Sequence, residues 1–183
     1  MDKPSKITIG STRLGTTVKR LPSSLEKDFN THIQAETYSS QIYLAMAVWC
    51  EDNGYIGGAT RFKKYAEEEL VHMKKIYQFL LDRDILPITP DIPQPKNDYK
   101  DILEIIETAY KHEIDVSNSY HVTATLALKE NCYTTFAFIQ WFILEQIEEE
   151  AKFNGLIDQY NLLMKTGVTG LALMEFDGIL GEI

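Results

Sequence analysis

The chain is 183 residues long, a length that suits one domain with a sizeable core. Its formal net charge of −9 argues against a nucleic-acid partner, because phosphates require Lys and Arg, and favours cations instead. No segment approaches the roughly 20 consecutive apolar residues of a membrane-spanning helix, so no membrane partner is expected. Cys50 and Cys132 are too few and too far apart to suggest a disulfide framework, and neither belongs to a Cys-x-x-Cys pair, so no zinc site is expected.

Residues 1–22 differ in composition from the rest of the chain. They contain five basic residues, one acidic residue and many Ser and Thr residues, without the long apolar segment of a secretory signal. This composition predicts a basic, flexible N-terminal tail ahead of a single domain over residues 23–183. An organellar transit segment has a similar composition. We expect a cytoplasmic protein, with an organelle as the alternative location if the tail is a transit segment.

The first half of the domain predicts two helices. Ser23 followed by Glu26 is a capping-box pattern, which predicts the start of the first helix. No Gly or Pro occurs over 25–50, and the Glu-Asp-Asn-Gly sequence at 51–54 predicts the turn that ends this helix. A second helix is predicted from about Gly58 to Arg83.

The second half predicts a long connection followed by two long helices and a short one. Four prolines fall within nine residues, which no helix tolerates: Pro87, Pro90, Pro93 and Pro95. A third helix is predicted over about 98–129, and a break at Asn131-Cys132 separates it from a fourth helix ending near Met164. Glycines then precede a last short helix over about 171–180.

The lengths of the connections predict the topology. Short connections after the first and third helices make antiparallel neighbours, whereas the proline-rich connection is long enough to cross the whole bundle. Strand-type alternation is absent from the main segments. The predicted fold class is all-α, a four-helix bundle with one long crossover and a short fifth helix at the C-terminus.

Carboxylates interrupt the apolar seam of every long helix. At helical spacing, each seam is mostly apolar or aromatic but carries an acidic residue near its middle. These residues are Glu36, Glu69, Glu113 and Glu149, and His72 lies one turn after Glu69. Burying an unpaired carboxylate costs several kcal/mol, so four in one core require cations. Oxygen ligands with one imidazole suit iron.

Each of these features is weak when taken alone. A Glu-x-x-His pair occurs by chance on many surface helices, and a single Glu on a helix is usually solvated. The conjunction is more specific, because four helices place a polar group at a compatible height on an apolar seam. A bundle with a purely structural role would leave these four carboxylates unexplained.

At these residues the sequence resembles the ferritin family, most closely its non-haem bacterial type. The resemblance covers about residues 24–180 and leaves the N-terminal tail outside it. Four motifs carry it in the family's order, at 36–43, at 67–73, at 110–113, and at 138–141 together with 145–150. It implies a ferritin-like bundle whose helices hold a di-iron centre.

The resemblance also implies which residues bind the metal. Glu36, Glu69 and His72 would hold the first iron, with Glu69 bridging, and Glu113 and Glu149 would hold the second. Gln146 would lie close to the second iron, and Tyr43 beside the centre, where it either donates an electron or only bonds to a carboxylate. Glu68, Glu145 and Glu148 match an additional iron site of bacterial ferritins. Their acidic runs are equally typical of a solvated helix face.

The sequence departs from two related families at the second Glu-x-x-His motif and at the haem ligand. Bacterioferritins and rubrerythrins carry a second Glu-x-x-His on the fourth helix, where this chain has Gln146 and Glu149. Bacterioferritins bind haem through a methionine that follows the motif Glu, where this chain has Leu70. No haem is therefore expected. The neutral Gln146 lowers the negative charge at the second position, which suits iron that is oxidised and passed on.

The function implied by the resemblance is iron storage with ferroxidase activity. Fe(II) would be oxidised by O2 or hydrogen peroxide, and ferric mineral would be stored inside a homo-oligomer like the ferritin 24-mer cage. Two alternatives stay open. One is a di-iron oxidase or peroxidase that retains its iron as a cofactor, and the other is a storage subunit that nucleates mineral without fast oxidation.

Overall fold

The computed structural model describes residues 21–165, 167 and 169–182, which form five helices and no strand. The helices are α1 (Ser23–Asp52), α2 (Ile56–Leu81), α3 (Ile102–Lys129), α4 (Tyr133–Met164) and α5 (Thr169–Gly181). The all-α prediction is confirmed, and no helix in this part of the chain is long and apolar enough to cross a membrane. The tail predicted over 1–22 lies outside the described residues except for Leu21, which is buried, and Pro22.

The amino ends of α1 and α3 differ from the sequence predictions. The capping box predicted at Ser23 is wrong, because Pro22 is the N-cap residue and no side chain caps the helix. Proline already holds the backbone angle that helix entry needs, and its carbonyl accepts the bond from the Glu26 amide at 3.0 Å. Helix α3 begins later than predicted, after Asp101, whose extended backbone lets its carboxylate accept from the Glu104 amide at 2.9 Å.

The connections give the expected topology. The turn after α1 contains Gly54 at φ +83°, a backbone conformation that glycine adopts without strain. The connection from α2 to α3 runs over residues 82–101 and lies along α1, where the Asn30 and Gln34 side chains bond to its backbone at 2.8 and 2.7 Å. This crossover makes α2 and α3 parallel, whereas α1–α2 and α3–α4 are antiparallel pairs.

Two apolar clusters fill the bundle, one toward each end. The first contains Tyr43, Phe62 and Phe153, and the second contains Phe29 and Tyr120, each with other buried side chains. On every long helix the sequence passes from one cluster to the other through buried polar residues. A polar layer therefore crosses the middle of the bundle between two apolar halves.

Helix α5 is attached to the start of α2 by two complementary caps. The Asp177 carboxylate accepts from the Gly57 and Gly58 amides at 3.1 and 2.9 Å, at the amino end of α2. Arg61 donates to the Leu180 carbonyl at 2.7 Å and to others at the carboxyl end of α5. A Cβ on Gly57 would lie 1.9 Å from the Asp177 carbonyl oxygen, so only glycine permits this approach.

Candidate metal centre

The polar layer contains the six side chains that the sequence predicted for the two iron positions. They come from all four long helices and are all buried: Glu36 on α1, Glu69 and His72 on α2, Glu113 on α3, and Gln146 and Glu149 on α4. Their positions follow from helical spacing, because residues three, four and seven apart occupy one face. The rest of each face is apolar, so folding carries these polar groups into the core.

Three of these residues form a compact group of potential ligands. Glu36, Glu69 and His72 each offer one ligand atom, and these atoms lie within 4.8 Å of one another. His72 Nδ1 lies 3.3 Å from Glu69 Oε2 and 3.6 Å from Glu36 Oε2. Among the described residues this is the one group of three or more such side chains that is close enough for a single ion. Two carboxylates and an imidazole form a donor set that iron accepts.

Glu113 and Gln146 form the adjoining part of the layer. The Gln146 amide donates to Glu113 Oε2 at 2.8 Å and to the Glu113 backbone carbonyl at 3.2 Å. The Tyr43 hydroxyl donates to the other oxygen of the Glu113 carboxylate. Helices α1, α3 and α4 therefore meet at this carboxylate.

Glu149 lies at the edge of this layer and is held by a lysine. Lys152 Nζ donates to Glu149 Oε1 at 2.7 Å, three residues along α4. Burial raises the pKa of Glu149, and the Lys152 cation offsets part of that rise while the charge of Glu113 adds to it. The carboxylate is thus paired with a cation of the chain itself, a partner that the sequence analysis did not identify.

The three residues predicted for an additional site lie outside the buried layer. Glu148 is exposed, and Glu68 and Glu145 are partly exposed. Glu68 is close enough to Glu149 and Lys152 that its charge raises the pKa of both groups. Glu150, in the same acidic run, instead accepts from the Ser117 hydroxyl at 2.5 Å.

The surroundings shift the pKa values of the buried acids and of the imidazole in different directions. Burial raises the pKa of Glu69 well above its usual range, and the nearby Glu36 and Glu113 charges raise it further. Burial acts in the same direction on Glu36, but bonds to His72, Glu69 and Tyr120 outweigh it and lower its pKa. Burial alone would lower the pKa of His72, yet its two carboxylate partners raise it to about 10. Strongly perturbed pKa values within one buried group are typical of a functional site.

Two further buried residues near the centre were not predicted as part of it. The Tyr120 hydroxyl donates to Glu36 Oε1, and the His32 ring stacks on the Tyr120 ring. The available signal was the position of Tyr120 seven residues after Glu113, which places it on the same face of α3. Its partner lies 84 residues earlier in the chain, and helical spacing does not identify such a pairing.

Known proteins resemble this chain over most of its length. A family model described as ferritin-like domain matches residues 26–163. A probable bacterial non-heme ferritin-like protein of Haemophilus influenzae is 34% identical over 157 residues, which is 86% of this chain and 94% of that protein. A bacterial non-heme ferritin of Escherichia coli O157:H7 is 34% identical over 146 residues, covering 80% and 88%.

Solved structures agree with the sequence comparison. An open pore ferritin from the archaeon Archaeoglobus fulgidus superimposes with a TM-score of 0.85 at 28% identity, covering 89% of this chain and 99% of that chain. A humanized archaeal ferritin superimposes with a TM-score of 0.85 at 29% identity, covering 89% and 98%. The resemblance stated from four short motifs therefore extends over most of the chain.

Proposed function

We propose that this chain, which belongs to the ferritin family, stores iron. In this role it oxidises Fe(II) at a di-iron centre within its polar layer. The observation that carries this proposal is the buried group of Glu36, Glu69 and His72, whose ligand atoms lie within 4.8 Å of one another. Burying this many carboxylates costs free energy, which bound metal ions would offset. Iron is both the substrate and the stored material.

Each half of the layer supplies one iron position in this proposal. Glu36, Glu69 and His72 hold the first iron, and Glu69 bridges to the second. Glu113 and Glu149 hold the second iron, with Gln146 beside it as a neutral neighbour. The amide in place of a carboxylate lowers the local negative charge, so Fe(III) is held less tightly and can move on. Lys152, which donates to Glu149 Oε1, competes with the second iron for this carboxylate.

The reaction balances without any other cofactor, and no haem is involved. Two Fe(II) ions lose one electron each to become Fe(III), and O2 takes both electrons with two protons to become hydrogen peroxide. Where hydrogen peroxide is the oxidant, two electrons and two protons convert it to two water molecules. The chain contributes a closely spaced ligand set and groups that exchange protons as metal enters.

Storage requires an assembly, which we propose is a homo-oligomeric cage. Exposed apolar side chains occur on every helix of the isolated subunit and include Val122, Leu171 and Met174. Their number favours contact with further copies of the chain. Ferric product leaving the centre would pass an additional iron site, which we propose is formed by the exposed Glu148 and the partly exposed Glu68 and Glu145.

Aerobic Fe(II) oxidation followed by absorbance tests the proposal. We expect wild-type protein to oxidise iron rapidly at first and then to keep a large excess of ferric iron in solution. Glu69→Gln should lose the fast phase, because the bridging carboxylate is gone, whereas Glu67→Gln, an exposed neighbour on α2, should behave like wild type. Uptake of about two tightly retained iron ions per chain and no more would instead favour a di-iron oxidase or peroxidase.

A slow, steady oxidation that equals the rate of the Glu69→Gln variant would contradict the ferroxidase part of the proposal. Soluble mineral would still form in that case, and the chain would be a storage subunit that nucleates mineral without fast oxidation. The two measurements therefore separate oxidation from storage.

A further inference from the structure

A second buried tyrosine touches the centre on the side opposite to Tyr43. The Tyr120 side chain is 0% exposed and donates its hydroxyl proton to Glu36 Oε1, and Glu36 is 1% exposed. Tyr43 makes the equivalent contact with Glu113. Both carboxylates therefore accept a hydrogen bond from a phenol on the helix opposite their own, α3 for Glu36 and α1 for Glu113.

The Tyr120 ring is held on both faces by other rings. His32 stacks on it with the centroids 4.4 Å apart and the planes 9° from parallel. Phe142 packs on it at 4.8 Å and 24°. With the ring fixed in this way, the hydroxyl has little freedom to leave Glu36, so the direction of the hydrogen bond is set by packing.

A chain of polar contacts continues from His32 to the surface. His32 is 3% exposed, and its Nε2 lies 2.5 Å from the Thr123 hydroxyl, which in turn contacts Asp28 Oδ2 at 2.5 Å. The Asp28 side chain is 25% exposed and lies four residues before His32 on α1. These buried polar groups are costly unless paired, and each finds its partner within the chain.

We propose that Tyr120, held in place by His32, Thr123 and Asp28, is the positioning residue for the first iron position. Its hydroxyl occupies Glu36 Oε1 and leaves Oε2, which lies 3.6 Å from His72 Nδ1, to face the metal. Tyr43 has the same role for Glu113 at the second position. The inference rests on the proposed function, because it assigns these tyrosines to two iron positions. Partners of this kind typically account for 10- to 100-fold in metal affinity.

Matched phenylalanine variants of the full chain test this assignment. Tyr120→Phe keeps the ring and its stacking but removes the hydroxyl, and Tyr43→Phe makes the same change at the other position. Titration with Co(II), followed by its visible absorbance, reports both binding steps. The Glu36→Gln variant identifies the step that belongs to the first position.

We expect Tyr120→Phe to weaken the first-position step by about 10- to 100-fold and to alter its Co(II) spectrum while leaving the second step unchanged. Tyr43→Phe should do the reverse. Thr123→Val removes the hydroxyl between His32 and Asp28 without touching Glu36, and it should weaken the same step as Tyr120→Phe by a smaller factor.

Three results would overturn the inference or its premise. Equal Co(II) affinities and spectra for Tyr120→Phe and wild type would show that the hydroxyl does not position Glu36. Equal weakening of both steps, together with a lower melting temperature, would show a general packing role. Wild-type protein that binds no Co(II) in the buried layer would instead contradict the proposed di-iron centre itself.

Discussion

The ion pair between Lys152 and Glu149 places a cation of the chain beside the second proposed iron position. Their 2.7 Å contact joins residues three apart on α4, and the Lys152 side chain is partly exposed. A metal ion that binds Glu149 competes with this ammonium group for the negative charge of the carboxylate. The pair therefore weakens metal binding at this position.

Removing that cation should strengthen metal binding at the second position. We expect Lys152→Gln to tighten the second Co(II) binding step by roughly fivefold, corresponding to about 1 kcal/mol, because a partly exposed ion pair of this kind contributes about that much. Isothermal titration calorimetry at fixed pH measures the change. Lys165→Gln, farther along the same chain, is the matched control, and an unchanged second step would contradict the competition.

Sequence spacing predicted the residues of the polar layer better than it predicted their hydrogen-bond partners. Residues on one helix face recur every three or four positions, so Glu36, Glu69 and Glu113 could be assigned to a common layer from the sequence alone. The bond from Tyr120 to Glu36 depends on the offset and rotation between two helices, which single-helix periodicity does not contain. Lys152 and Glu149 have the i, i+3 spacing of a helical ion pair. The pair was not predicted because Glu149 was interpreted only as a metal ligand.

At the scale of helices, the attachment of α5 to α2 depends on the absence of a side chain at Gly57. A Cβ there would lie 1.9 Å from the Asp177 carbonyl oxygen and 2.7 Å from the Gly181 amide nitrogen. Both neighbours are backbone atoms, so the whole of α5 would have to move. Gly155 on α4 has nothing within 4 Å of the same added atom.

Two glycine-to-alanine variants should therefore have opposite effects. Gly57→Ala should lower the melting temperature and make α5 accessible to limited proteolysis, because α5 loses its close approach to α2. Gly155→Ala should raise the free energy of unfolding by about 0.5–1 kcal/mol, since alanine favours a helix interior. Equal melting temperatures for the two variants would contradict the requirement for glycine at position 57.

The bounds of the helices were predicted to within a few residues, but the N-cap residue of α1 and the docking of α5 were not predicted. Apolar periodicity and the proline-rich connection sufficed for four long helices and one crossover. The start of α1 was misassigned because Ser23 and Glu26 fit a capping pattern, whereas the chain uses Pro22. The contact between Asp177 and Gly57 joins residues 120 positions apart, so no local sequence pattern predicts it.

At the scale of the molecule, the proposed centre is divided between two helical hairpins. The α1–α2 hairpin contributes Glu36, Glu69 and His72, and the α3–α4 hairpin contributes Glu113, Gln146 and Glu149. The complete ligand set exists only where the hairpins dock. Metal that binds this set therefore stabilises the folded subunit, because the unfolded chain offers no comparable site.

This coupling predicts how stability depends on pH. The pKa of His72 without metal is raised from 6.5 to about 10, so its carboxylate contacts stabilise the metal-free fold fully below about pH 6.5. That contribution is lost as pH rises toward about 10. Metal binding requires neutral His72 and ionised Glu69, so it displaces protons and strengthens as pH rises.

The melting temperatures of Zn(II)-loaded and metal-free protein should therefore diverge as pH increases from about 6 to 8. The melting temperature of the metal-free protein should fall or stay level over this range, whereas that of the loaded protein should rise. His72→Gln removes the main titrating ligand and should lose most of the divergence. A constant difference between loaded and metal-free wild type would contradict proton release from the centre.

The contact between Asp177 and the amino end of α2 also has a consequence for synthesis on the ribosome. The Gly57 and Gly58 amides are translated about 120 residues before the carboxylate that accepts their protons. At a synthesis rate of roughly 5–20 residues per second, about 6–24 s pass between the translation of these glycines and that of Asp177. A nascent chain that stops before Asp177 therefore leaves these amides open, and only a completed chain closes the bundle at that end.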